Sequence, residues 1–519
     1  MAGAACLLVV LAAASEPGSA QESASAAPPA GEGSAGRPAS APEDEGYDLP
    51  SSLGDLVSPD PGVRWQPPAL DDYAKVLKTS EPADIDPDRR YQVAELIDLA
   101  ERLNPETRVA WEHARQAAAG IGLVQSEYYP VLSLSALGGY QSQAFPAPPD
   151  VAPDGFFRAD FKQALPQVQL RWLLLDFGRR GNSVDAAKER LLAANLGFNR
   201  RHQEVVFRVQ RAFYALTSLN GKIEVAQSAV DSSKAVREAA ERQLENGLAT
   251  VPDVALARQQ EAQAAFDMED VLARQRDAQV ALTDAIGLPP TTPIQVADFS
   301  TLPEPAALED SVDQVIDQAL ARRPDLIAKV ALLRSREAEV RRARGGHAPT
   351  LSLLADYNRL IGDVKVTGGN VDTGWFNASE PGYGAGLFLH WNIFEGNAVA
   401  RATEAADADR QAAAAEVTAA RDRAISEVWT AYTDVRLALR RLDTARVLVD
   451  ASQKSYDASL ESYNNGLSTL IDLLTARREL SRARFVELDT RLQLLNASAA
   501  LAFGTGASTG PVPAAPAAR

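Results

Sequence analysis

The chain has 519 residues, 46% hydrophobic and 23% charged, so its bulk is ordered protein with ample core-forming material. Its formal net charge of −17, without a prominent Lys/Arg cluster, argues against phosphate-backbone binding, and no nucleic acid partner is expected. The single cysteine, Cys6, lies in the first apolar run, which excludes disulfides, thiolate zinc sites and cysteine nucleophiles from the rest of the chain.

Ala4 to Ala14 form an apolar run too short to span a bilayer, and small residues lead to a cleavage point after Ala20. Residues 1–20 therefore read as a secretory signal peptide, although no Lys or Arg precedes the run. Residues 21–90 are rich in Ala, Pro, Gly and Ser and are expected to be a mostly flexible segment. No later stretch of about 18 apolar residues would make a transmembrane helix. A membrane location would thus require a closed β-barrel, the other structure that satisfies its own backbone in lipid.

From there the chain repeats itself. Ile97-Asp98 matches Ile316-Asp317, Pro105 matches Pro324, and Leu132-Ser133-Leu134 matches Leu351-Ser352-Leu353, all at an offset of 219 residues. Trp172 matches Trp391 and Asn246-Gly247-Leu248 matches Asn465-Gly466-Leu467 at the same offset. Such constancy points to a tandem duplication. The organisation expected is a first repeat at 91–290, a linker at 291–310, a second repeat at 311–505 and a tail at 506–519.

Each repeat opens with helix, marked by a proline tolerated in a first turn. After Pro130 the period becomes two. Leu132, Leu134 and Ala136 alternate with Ser133 and Ser135, and after a loop at about Gln143 to Asp160, Val168, Leu170, Trp172 and Leu174 alternate with Gln167, Gln169 and Arg171. Leu387, Leu389, Trp391 and Ile393 repeat the pattern with Gly386, His390 and Asn392 between them. An apolar-out, polar-in strand suits a barrel with a wet lumen, which His390 would face, and the paired Trp172 and Trp391 suit an interfacial girdle. A half-buried strand of a soluble sandwich shows the same alternation.

Residues 178 to 245 then contain no proline, and Val206, Val209, Phe213, Leu216, Leu219, Ile223, Ala226 and Val230 step by three or four. This is coiled-coil spacing, and the helix would reach roughly 100 Å. Ile425, Val428, Tyr432, Val435, Leu439 and Leu442 repeat it. Both long helices stop at Asn-Gly, and Thr250 or Thr469 caps the returning helix with Asp253 or Asp472 in its first turn.

No chemistry competes with this scaffold. His113, His202, His347 and His390 lack metal-ligand spacing, and no nucleophile elbow, P-loop or dinucleotide fingerprint occurs. No catalytic residue, cofactor or metal is expected.

Asn104-Pro105, the Tyr129-Pro130 entry into Leu-Ser-Leu, Leu175-Asp176-Phe177-Gly178-Arg179 and the two Asn-Gly tip segments resemble the TolC-type outer-membrane efflux family over about residues 90 to 505. The resemblance implies a mainly α fold with a transmembrane β-barrel contribution: duplicated long hairpins forming an α-barrel, and four strands per protomer in a twelve-stranded barrel. It implies a homotrimer in the lipid of the bacterial outer membrane with a long periplasmic portion. The function implied is the exit duct of a tripartite efflux or type I secretion system, joined to a periplasmic adaptor and an inner-membrane pump. By motif, Asn246, Gly247, Leu248, Thr250 and Asp253, with Asn465, Gly466, Leu467, Thr469 and Asp472, become adaptor-docking positions. Asp253, Tyr463 and Asp472 become candidates for a periplasmic gate. A soluble periplasmic coiled-coil adaptor or structural spacer is the alternative, but adaptors carry one helical hairpin where this chain has two.

Overall fold

The computed structural model describes residues 85–150, 152–247, 249–305, 311–369 and 371–507, all in a compact unit that begins at Thr79. The expected signal peptide, most of the Ala/Pro-rich segment, Leu248 and the end of the tail lie outside the described residues.

The first half runs α1 (Val93–Leu103), α2 (Pro105–Ser126), β1 (Val131–Pro146), β2 (Phe156–Leu175), α3 (Arg179–Glu245) and α4 (Val251–Ile286). The second runs α5 (Val312–Arg322), α6 (Pro324–Arg344), β3 (Thr350–Arg359), β4 (Ile361–Gly368), β5 (Pro381–His390), α7 (Ala398–Asn464) and α8 (Leu470–Gly504). Both α3 and α7 hold 67 residues, and their first residues lie 219 positions apart. The same spacing separates the starts of α1 and α5, α2 and α6, β1 and β3, and α4 and α8.

The breaks follow from local chemistry. A residue before proline avoids helical ψ, so α1 ends at Asn104 and α2 begins at Pro105. Asn104 is buried; its Oδ1 accepts the Glu106 N–H at 2.9 Å while its amide donates to the Ala285 carbonyl at 2.9 Å. Arg323 holds the matching position before Pro324 and donates to the Gly504 carbonyl at 3.4 Å. Thus one junction recurs with different side chains.

The stepped apolar residues form the helical core. Val209, Phe213 and Leu216 are buried in a cluster with Val205, Leu96, Leu282 and Ile286, and Val428, Tyr432, Val435 and Leu442 in a second cluster with Leu494; Val206 is buried outside the first cluster. Part of the inter-repeat linker joins the first cluster. Ile294, Val296, Phe299 and Leu302 are buried there, and Gln295–Val296 pairs in parallel with Arg90–Tyr91.

Apart from that short parallel pair, the strands form one antiparallel sheet, in which β4 also pairs with the two-residue strands Val371–Asp372 and Phe376–Asn377. β1 pairs with β2 from Val131 against Arg171 to Pro146 against Phe156. β2 is long enough to take β3 along Gln167–Leu175 and β4 along Arg158–Ala164, and β3 then pairs with β5. The sheet is therefore four strands wide. The connection expected at Gln143–Asp160 is shorter, because the ladder continues to Pro146 and resumes at Phe156. Proline fits there, at the end of an edge strand that needs no further donor.

Candidate functional site

At the helical tips the two hairpins are built alike. Gly247 and Gly466 have φ of +74° and +72°, a left-handed conformation that costs a glycine little and lets the chain reverse. Asn246 and Asn465 donate side-chain amides to the carbonyls of Arg242 and Glu461 at 2.8 and 2.9 Å, closing each long helix. On the returning helices, one Asp253 oxygen accepts the Thr250 hydroxyl at 2.6 Å and its N–H at 2.9 Å. Asp472 repeats this with Thr469 at 2.6 and 3.0 Å. The hydroxyl bond first, then the backbone bond, holds each carboxyl below its ordinary pKa against a small opposing desolvation. Leu467 and Ile471 stand exposed beside the second turn.

The hairpins also touch each other. Ala240, Val254, Ala257, Leu470 and Leu474 form a small core that spans both tips. Above it the Tyr463 hydroxyl donates to Gln243 Oε1 at 3.2 Å, joining α7 to α3. Arg477 donates to the Ser228 carbonyl at 2.7 Å and to the Tyr456 hydroxyl at 3.3 Å. Its repeat mate Arg258 instead pairs with Glu241 inside the first hairpin, where Arg237 binds Glu241 and Glu261.

At the other end, sheet meets helix. Trp172 donates its indole N–H to the Tyr128 carbonyl at 2.8 Å, and Trp391 donates to the His347 carbonyl at 3.1 Å, again one repeat apart. Arg180 is buried beside Asp176, which accepts its Nε at 3.0 Å and its backbone N–H at 2.7 Å. Its guanidinium also donates to the carbonyls of Glu127, Leu173 and Leu174 and lies 4.6 Å from the Tyr128 ring centre. The second half solves this corner with apolar packing. Val399 replaces the arginine, and a Cβ on Gly346 would come within 3.1 Å of its methyls.

Strand register sorts the sheet into two faces. Leu132, Leu170, Ala355 and Ala385 form one cross-strand row, and Leu134, Val168, Tyr357 and Tyr383 form the next. The opposite face carries Ser133, Gln169, Asp356 and Gly384, then Ser135, Gln167, Asn358 and Gly382. Thr350 opposite His390 puts the histidine on the polar face. The apolar face is uncovered: Leu132, Leu134, Tyr383, Leu387 and Leu389 are each at least 65% exposed, which a soluble protein of this kind does not sustain over a whole sheet.

The family model described as outer membrane efflux protein matches residues 96–288 and again residues 315–507. The chain belongs to the outer membrane efflux protein family. It is 26% identical over 384 residues to protein CyaE of Bordetella pertussis strain Tohama I, covering 73% of each chain. It is 22% identical over 419 residues to outer membrane protein OprJ of Pseudomonas aeruginosa, covering 80% of this chain and 84% of the relative. The solved CmeC outer membrane channel of Campylobacter jejuni superposes with a TM-score of 0.67 at 17% identity, covering 83% of this chain and 89% of that one. The protein is thus an outer-membrane channel through which an efflux or secretion system discharges its cargo.

For this efflux-family channel, among the described residues, no helix is long and apolar enough to cross a membrane and no cluster of metal-ligating side chains occurs. The structure brings Tyr463 against the first hairpin, keeps Asp253 and Asp472 within their own caps, and ties Trp172 and Trp391 to helix ends. Leu248 is outside the described residues. Sequence reading passed over Gln243, saw in Arg477 only the repeat match of Arg258, and took Arg180 for part of a basic helix start. Arg477 carried a signal in its match to Arg258, and Arg180 in its four-residue spacing from Asp176; the Tyr463 hydroxyl on Gln243 and the Glu127 carbonyl on Arg180 are distant partners that no spacing reveals.

Proposed function

We propose that three copies of this duplicated chain assemble into one duct, each donating four strands to a twelve-stranded barrel and two hairpins to a periplasmic α-barrel. The observation that carries this reading is the four-stranded sheet with β1 and β5 as open edges and an exposed apolar face. In lipid, unpaired backbone groups cost several kcal/mol each, so an open sheet must find further strands. The outer edges of β1 and β5 on separate copies are the available partners. The matched element starts and the family's two successive matches favour an origin by duplication.

The tips are the docking end for a periplasmic adaptor that links the duct to an inner-membrane pump. Gly247 and Gly466 set the turns, Thr250 and Thr469 fix the returning helices, and exposed Leu467 offers apolar contact. Closure of the duct rests on Tyr463 held to Gln243, with Asp253 and Asp472 placing rings of carboxylate near the mouth. The duct itself performs no chemistry on its cargo.

Heated and unheated gel migration of crosslinked, detergent-extracted outer membranes tests the assembly. A trimer that collapses to monomer on heating is expected. A soluble monomer or dimer would overturn the barrel.

A further inference from the structure

The apolar face of the sheet ends abruptly in charge. Moving along β2 away from the helices, the residues on the face of Val168 and Leu170 become Ala164, Lys162, Asp160 and Arg158. Register places Asp363 beside Lys162 and Lys365 beside Asp160 on that same face. From the Trp172 row to the Ala164 row is roughly 26 Å along a strand, and a tilt of about 40° makes that close to 20 Å of apolar height. The charged rows therefore begin where a leaflet's head groups would lie, on the side remote from the helices. Tyr140 shares the Lys162 row, and Lys162 Nζ lies 4.5 Å from the Trp375 ring centre, so aromatics mark the same boundary.

One residue breaks the apolar band itself. Arg359 pairs with Pro381 in the register that puts Tyr357 opposite Tyr383, so it occupies the outward face between Tyr357 and Ile361. It is exposed and forms no hydrogen bond or ion pair among the described residues. Lys162 likewise has no acidic partner within ion-pair distance among those residues; its contact is the tryptophan. An unpaired arginine facing hydrocarbon is costly unless its long stem carries the guanidinium up to an anion at the interface. Arg359 can extend towards the Lys162 row, where a phosphate would meet two cations. Lys365, by contrast, is engaged with Asp372 at 3.5 Å.

We propose that Arg359 and Lys162, with Arg158 beyond them, form a site on the outward face for the phosphate of a phosphorylated lipid in the outer leaflet. A planar guanidinium and an ammonium suit a phosphomonoester, and the adjacent apolar rows Leu134–Val168–Tyr357–Tyr383 suit the acyl chains of the same molecule. This inference rests on the barrel reading above, since only that reading turns this face to lipid.

The test uses the full-length protein reconstituted into phosphatidylcholine vesicles with or without bisphosphorylated lipid A, or lipid A stripped of phosphate. Its readouts are co-purified lipid by native mass spectrometry and the temperature at which the oligomer dissociates. Wild type should retain the phosphorylated lipid and dissociate at higher temperature in its presence, and inorganic phosphate at millimolar concentration should not reproduce the shift. Arg359→Gln with Lys162→Gln should weaken retention at least tenfold, whereas Arg359→Lys with Lys162→Arg should preserve it. Equal retention of the dephosphorylated lipid, equal retention by the Gln variant, or full competition by free phosphate would each overturn the site. Failure to insert into phosphatidylcholine alone would instead count against the barrel.

Discussion

Arg180 and Arg323 show how single buried cations hold this molecule at its joints. Arg180 is 5% exposed and surrounded by one carboxylate and three carbonyls. Arg180→Met keeps the volume but leaves Asp176 buried without its counter-charge, a change that should cost about 3–5 kcal/mol. Chemical denaturation of the refolded protein should register that loss, and pairing the substitution with Asp176→Leu should restore much of it. Arg323 lies in a wider network, donating to both Asp325 oxygens and to Glu427. Burial alone would raise the Asp325 pKa, but bonds from Arg323 and the charges of Arg200 and Arg323 outweigh it and hold it low. Glu106 is held low chiefly by its bond from Arg208. A depressed folded-state pKa gives stability that is present above the unfolded value, about 4, and is lost as pH falls through the folded value. Thermal stability should therefore not vary through these groups between pH 7 and about 5, then fall in stronger acid. Asp325→Asn should flatten that acid limb in a pH series of melting curves.

At the scale of elements, the two hairpins touch along their length, through Leu495 in the first core cluster and the Lys222–Asp489 pair, and again at their tips. The Tyr463–Gln243 bond and the small core beneath it connect α3 to α7, whereas the Thr–Asp caps act within single turns. Tyr463→Phe removes one bond and keeps the ring, so single-channel recording should show a higher resting leak with unchanged insertion. Asp472→Asn retains an oxygen able to cap and removes charge. A leak raised by this variant as well would support the carboxylate ring, and unchanged closure would confine Asp472 to its cap. Much of this element layout is legible in the residues: Pro105 and Pro324, the change to period two after Pro130, and Gly247 and Gly466 each mark a boundary by a local rule. The packed linker is less legible because Ile294, Val296, Phe299 and Leu302 are too few to display a period, and their burial depends on α1 and α4 arriving around them. The cross-hairpin bond is hidden for a similar reason, since polar pairing between residues 220 apart leaves no spacing to read.

For the whole molecule, the decisive quantity is the distance between the sheet's two edges. Within one copy β2 and β3 lie between β1 and β5, separating them by about 14 Å at ordinary strand spacing. A disulfide spans Cα atoms no more than about 7 Å apart. Cysteines placed on β1 and β5, for example Ser135→Cys with positions along Gly382 to Gly386 sampled in turn, should therefore join different copies. Oxidation should give a covalent ladder ending at three chains for the pairs in register. Bonds within single chains would mean that the sheet closes in some other way.

The corner around Arg180 ties the burial of a charge to the register of the strands beside it. Its guanidinium is buried where the end of α2 meets β2, because its acceptors are the Glu127 carbonyl just before β1, the Leu173 and Leu174 carbonyls of β2 and the Asp176 carboxylate. A ladder slipped by one residue would displace those carbonyls and strand a charge in a dry place. The joint therefore makes strand register a condition of burying that charge, and a misregistered hairpin is penalised by the unpaired guanidinium.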